Sequence, residues 1–291
     1  MTDQPELNPI LGRRLRDNNW ILLTSKAKPI IVDEKISTKL LHGDVDSFSN
    51  NEHFMTTLKD MGFLKDSDEP VPRPIVESKS TGWIIARTTF LIIGIISALY
   101  VGYTTLIRGI PTGNLLIAEH IGLLENIIFI VLFSIVTTIA HELMHLLFGQ
   151  LTPSKAGLHI SAKTAVAKVS LSHVWVWSRL GRTAAVSAGV VLDLVELAVL
   201  SGLWLYSDAW FLPVACAILW VRILWQLRIH KRTDGQLVIA MISDNPSMLA
   251  DLRNKRTAEI TLINILGRMM SILIIVGWLL PLIMRIYRLI R

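Results

Sequence analysis

Charge and cysteine are both scarce in this chain. Only 18% of its 291 residues are Asp, Glu, Lys or Arg, against 52% hydrophobic, and the mean hydropathy is +0.49. That balance excludes an ordinary soluble globular domain and points to a membrane protein. The single cysteine, Cys216, lies in an apolar run, so an internal disulfide and a secreted disulfide framework are both excluded. The first residues do not read as a signal peptide, because MTDQPELNPILGRRLRDNN has no basic start followed by an apolar core, so the first hydrophobic span is expected to direct insertion.

The charges that are present are unevenly placed. Residues 1–80 carry 13 acids and 11 Lys/Arg, and residues 81–291 carry 10 and 18, giving net charges of −2 and +8. Basic residues grouped beside apolar spans suit lipid headgroups better than nucleic acid. No nucleic-acid partner is therefore expected, and the lipid bilayer is.

The pattern divides into a small α+β domain over 1–65, a Pro- and charge-rich linker over 66–80 (DSDEPVPRPIVESKS), and a transmembrane domain over 81–291. In the first, NWILLTSKAKPIIV reads as two strands, Trp20 to Leu23 and Pro29 to Val32. Two helices follow, one from Asp33 to Gly43 and one capped by Asn50 or Asn51 and closed by Gly62. The second part is mainly α-helical and polytopic, with about five to six transmembrane helices. Spans are expected at Trp83 to Leu106, Asn126 to Leu151, Thr183 to Tyr206, Ala209 to Ile229 and within Ile260 to Tyr287, with an interfacial helix over Asn114 to Leu124. HISAKTAVAKVSLSHVWVW reads as a short membrane-associated β segment, which must sit at the interface or in a protein-lined cavity. Lys155, Lys163, Lys168, Arg179 and Arg182 share a connection without an acid, and Arg228, Lys231 and Arg232 follow a later span. Both connections read as cytoplasmic, and the N-terminus with them.

One stretch contradicts its surroundings. FSIVTTIAHELMHLLFGQL puts His141, Glu142 and His145 inside an apolar helix, where each ionisable group facing lipid would cost about 2.5–3.5 kcal/mol. His141 and His145 are four residues apart and share a helix face, so two imidazoles can reach one metal, with Glu142 beside them. Zn²⁺ held by three protein ligands polarises a water, and a neighbouring carboxylate takes its proton during amide hydrolysis. Asp234, in HKRTDGQLVIA, leads as the third ligand, because Gly235 lets the chain turn there before an apolar stretch. Asp193 and Glu196, three apart in GVVLDLVELAVL, are the rivals. His120, His159, His173 and His230 read as solvated interface residues.

H-E-x-x-H in one membrane helix and a distant Asp-Gly at the end of a later one resemble the site-2 proteases, the intramembrane zinc metalloproteases, over about residues 115–250. RTAAVSAGVVLDLVELAVL is similar to that family's Arg-then-Ala-Gly-x-x-x-Asp/Asn helix. RTDGQLVIAMISDNPSMLADLR resembles the Asp-Gly-Tyr pattern of the peptide zinc metalloproteases found near bacterial peptide-maturation genes, with Arg232-Thr233 and Gln236 departing from it. The resemblance implies zinc on His141, His145 and Asp234, Glu142 as catalytic acid/base, and Asp193, with Glu196 near it, as support or substrate positioning. It also implies a bacterial cytoplasmic membrane. The N-terminal strand pair, helices and MGFL ending resemble the PqqD-like winged-helix modules that recognise leader peptides, which implies leader binding by residues 15–65. The expected substrate is then a ribosomally made peptide precursor. The alternatives are regulated cleavage of a transmembrane signalling protein, and a non-catalytic peptide-binding or immunity protein.

Overall fold

The computed structural model describes residues 6–25, 29–65, 73–119, 121–151, 159–161, 166–168, 171–254 and 258–291. The chain begins with a three-stranded antiparallel sheet of β1 (Leu11–Arg14), β2 (Trp20–Leu23) and β3 (Ile30–Val32), in that spatial order. Leu11 pairs with Leu23 and Trp20 with Val32. Two helices cover one face. In α1 (Glu34–Leu41) the Asp33 carboxylate accepts the Ile36 N–H at 2.7 Å, and in α2 (Glu52–Asp60) the Asn51 side chain accepts that of Phe54 at 3.0 Å. Each cap satisfies a helix-end donor that has no partner within the helix. The chain leaves both helices through glycines of positive φ, Gly43 and Gly62.

Strand β2 has no solvent face. Successive side chains point to opposite sides of a sheet, and here both sides are filled. Leu22 joins Leu40, Val45, Leu58, Phe63 and Leu64 in the domain's own core, while Ile21 packs with Phe148, Trp175 and Trp177 of the helical part. The N-terminal sheet is thus seated on the rest of the molecule.

The helical part contains, among the described residues, four helices long and apolar enough to cross a membrane. They are α3 (Thr81–Arg108), α4 (Leu123–Phe148), α5 (Arg179–Tyr206), and a long helix over Ile260–Leu289, made of α9 (Ala258–Ile274), a π-turn and α10 (Leu280–Ile290). The five to six expected spans reduce to four because the fourth expected one is short. Its helix, α6 (Phe211–Gln226), has 16 residues, about 24 Å at 1.5 Å per residue against a hydrocarbon core of about 30 Å. Two further helices follow, α7 (Asp234–Ser243) and α8 (Met248–Asn254). Helix α5 is central, with half of its apolar window buried, against 22% for α3 and 11% for α4. The outward faces of α3 and α4 display Ile92, Ile96, Leu99, Leu132, Ile135 and Ile139, which a bilayer would cover.

The expected interfacial helix over 114–124 is corrected. A single 3₁₀ turn, Gly113–Leu116, occupies its start, and α4 begins at Leu123. Gly113 is pressed against the Trp278 carbonyl, and the buried Asn126 side chain donates to the Leu116 carbonyl at 2.6 Å and accepts the Ala118 N–H. These contacts satisfy the backbone without a helical ladder. A β hairpin of β4 (His159–Ser161) and β5 (Val166–Lys168) lies within the expected β segment. Lys155, Lys163 and linker residues 66–72 lie outside the described residues.

Candidate metal centre

Helix α4 brings His141 and His145 to one face at its buried end; their side chains are 3% and 4% exposed. Each ring is held by its outward nitrogen. His141 Nδ1 donates to Asp193 Oδ2 on α5 at 3.0 Å, and His145 Nδ1 donates to the Ala185 carbonyl on the same helix at 2.9 Å. An ionised carboxylate and a carbonyl only accept, so both Nδ1 atoms carry protons, and each Nε2 is left to face a cation held between the rings and Asp234. The two Nε2 atoms face each other at 3.3 Å, and Asp234 Oδ2 lies 2.9 Å from one and 3.4 Å from the other.

Two ring nitrogens and an ionised carboxylate oxygen so close need a cation among them, either a proton on a ring nitrogen or a metal ion. The three ligand atoms all fall within 4.8 Å of one another. Metal–nitrogen bonds of 2.0–2.1 Å meeting at a tetrahedral angle set two nitrogens about 3.3 Å apart. The arrangement therefore fits a small divalent metal.

Other elements supply the precision. Asp234 is the first residue of α7: Thr233 caps the helix, and the Gln226 side chain at the end of α6 accepts the Asp234 N–H at 3.1 Å. Gly189 lets α5 approach, since a Cβ there would stand 2.2 Å from His141 Nε2. Arg222 on α6 donates to the Thr137 hydroxyl at 2.8 Å and carbonyl at 2.9 Å, one turn before His141, and pairs with Asp193 Oδ1 at 3.0 Å. Partners of this second rank fix the orientation and basicity of metal-binding imidazoles.

Of the sequence-derived candidates, His141, His145 and Asp234 converge on one point, and Asp193 stands behind His141 with its carboxyl fully buried. Glu196 lies one turn further along α5, with a buried Oε2 that makes no hydrogen bond. Glu142 is half-buried on α4. Sequence reasoning missed Arg222, Gly189 and the Ala185 carbonyl. Arg222 had a signal, a lone cation in AILWVRILWQ; the carbonyl had none. His173 is corrected from a solvated to a buried position, where it bonds the Gly149 carbonyl at 2.8 Å. A separate cavity of 550 Å³ is lined by Thr112, Asp208, Trp210, Arg285 and Arg288 among others, and none of the six candidate site residues lines it.

No family model matches the chain. Neither a curated protein nor a solved structure matches it.

Proposed function

We propose that this chain is an intramembrane zinc metalloendopeptidase that hydrolyses a peptide bond within or next to the bilayer. The observation that carries the reading is the convergence of two imidazole Nε2 atoms and one carboxylate oxygen at 2.9–3.4 Å, their outward nitrogens already engaged. Two histidines and a carboxylate form a common catalytic zinc set, with three protein ligands and one open position. Zinc bound there supplies a Lewis acid and lowers the pKa of a water to about 7. Glu142 follows the first ligand and takes the proton from the attacking water, then returns it to the leaving amine. Asp193 and Arg222 hold the His141 ring, and Glu196 adds a half-buried carboxyl about one turn along α5 from Asp193.

The substrate proposed is a ribosomally made precursor peptide whose leader adds to the free edge of the N-terminal sheet. β1 is committed to the helical part through Arg13, whereas β3 carries a 44% exposed Ile31 and has no neighbour beyond β2 among the described residues. Strand addition supplies backbone hydrogen bonds, and attachment raises the substrate's local concentration. The N-terminal domain is proposed to face the cytoplasm of a bacterial cell. Support comes from Arg179 and Arg182 at the start of α5, where Arg182 shares Asp244 with Arg13 of that domain, and from Arg228, Lys231 and Arg232, which follow α6.

The test is Glu142→Gln in detergent-solubilised full chain incubated with a fluorogenic peptide library. The variant is expected to keep its metal and lose hydrolysis by about 100-fold or more. Equal hydrolysis by wild type and variant, or none by the metal-loaded wild type on any library member, contradicts the peptidase reading.

A further inference from the structure

Helix α7 has Asp234 at its first position and Asp244 immediately after its last. Asp244 adopts the left-handed conformation, φ 60°, and is 7% exposed. Its carboxylate is a three-way joint. Arg13 of β1 grips it with both terminal nitrogens, at 3.0 and 2.7 Å; the Arg16 backbone N–H donates to it at 3.2 Å; and Arg182 of α5 pairs with it at 3.0 Å. Arg13 Nε also donates to the Trp175 carbonyl at 2.9 Å. Ala240 and Met241 of α7 share a buried cluster with Leu15 and Ile21 of the N-terminal domain.

A helix of ten residues is shorter than the roughly 12–15 needed for marginal stability alone, so α7 depends on what holds its ends. At the start, Gln226 and the Thr233 cap hold Asp234. At the end, Arg182 ties α7 to α5, and Arg13 ties it to the sheet. The two guanidiniums share one carboxylate, so neither can leave without changing the balance of charge on the other.

Resting on the metallopeptidase reading above, we infer that Arg13 is a positioning residue for the metal centre: through Asp244 and α7, the N-terminal sheet holds the ligand Asp234. The domain that would take the substrate leader is then part of the frame of the catalytic site. Strand β3, the free edge, is joined to β1 through β2 by continuous backbone pairing, so a peptide added there lies two strands from the joint. Coupling between two sites is reciprocal in binding free energy. Metal binding must therefore tighten the seating of β1 by the same factor that seated β1 tightens the metal.

The experiment uses the full chain in detergent, titrated with Zn²⁺ and, for its visible spectrum, Co²⁺. Wild type, Arg13→Ala, Arg13→Lys and His141→Ala are compared, alongside amide hydrogen exchange with and without Zn²⁺. Arg13→Ala is expected to weaken metal binding about 2- to 30-fold, the size of a coupling carried by residues that touch neither site, and to alter the Co²⁺ spectrum. Arg13→Lys restores part of the loss. In the wild type, Zn²⁺ slows exchange at Leu11–Arg14, and in Arg13→Ala it does not. Metal binding abolished by His141→Ala but unchanged by Arg13→Ala overturns the inference while leaving the metal reading intact. Exchange at Leu11–Arg14 that ignores Zn²⁺ in the metal-binding wild type overturns it without recourse to any variant. A wild type that binds neither ion as His141→Ala also fails to do overturns both.

Discussion

The imidazoles of His141 and His145 each have one proton whose place is fixed. Asp193 and the Ala185 carbonyl fix it on Nδ1, leaving Nε2 as the donor atom of each. Asp193→Asn keeps the shape of the side chain but can offer an N–H to the ring, so the wrong tautomer becomes available. Metal affinity is expected to fall about 10- to 100-fold, measured by competition with a chromophoric chelator; an unchanged affinity would remove Asp193 from this role. Gly189→Ala acts on the same ring by crowding, its Cβ 2.2 Å from Nε2. It is expected to lose bound metal in elemental analysis, and full occupancy in that variant would contradict the close packing of α5 on α4. At this scale the sequence was informative wherever chemistry left an unusual residue in an apolar setting. His141, Glu142, His145 and Asp193 stand out in this way; Asp234, after the polar HKRT, stands out instead by the Gly235 turn that follows it. The Ala185 carbonyl cannot, because every residue has one, and Gly189 is one small residue among many in SAGVV.

Element by element, legibility followed the strength of the local signal. The caps Asp33 and Asn51, the closing glycines Gly43 and Gly62, and β2 sit where periodicity and turn chemistry put them. Strand β1 escaped because GRR looks like a charged surface. Its Arg13 is spent on an ion pair formed 231 residues away, which no local pattern reveals. Helix α6 was read too long because hydrophobicity continues past it to Ile229, whereas the helix ends at Gln226, whose side chain and carbonyl turn to hold Asp234 and Thr233. The start of α3 shows another contact of long range. Arg87, 1% exposed, pairs with Glu77 at 2.8 Å between Trp83 and Trp177, and Glu77 in turn accepts the Ser178 N–H and hydroxyl at 2.6 Å each. Removing one partner strands a buried charge. Arg87→Met is therefore expected to cost about 3–5 kcal/mol, and Arg87→Met with Glu77→Gln distinctly less. Thermal unfolding in one detergent checks this, and additive losses would contradict it.

At the scale of the whole molecule, a small sheet, a helical bundle and the candidate metal site are joined through a few buried charges. Asp244 is the most telling. Burial works to raise its carboxyl, but the hydrogen bonds and charges of Arg13, with Arg182 beside them, outweigh this and hold it below the ordinary carboxylate range. A carboxyl whose pKa is lower in the folded state contributes its full stabilisation above the unfolded value, about 3.9, and loses it as pH falls through the folded value. Docking of the N-terminal domain should accordingly be unchanged from neutral pH down to mildly acid solution and weaken below that window. Protease sensitivity of the linker reads the docking; loosening already near neutral pH would contradict the assignment.

The central claim is that His141, His145 and Asp234 hold one zinc. Elemental analysis of chain purified under zinc-replete conditions tests it most directly, with wild type beside His141→Ala, Asp234→Ala and Asp193→Ala. The account predicts about one zinc per chain, lost in the first two variants and retained, though more weakly, in the third. A wild-type chain without metal, or one whose zinc survives loss of both His141 and Asp234, would contradict it.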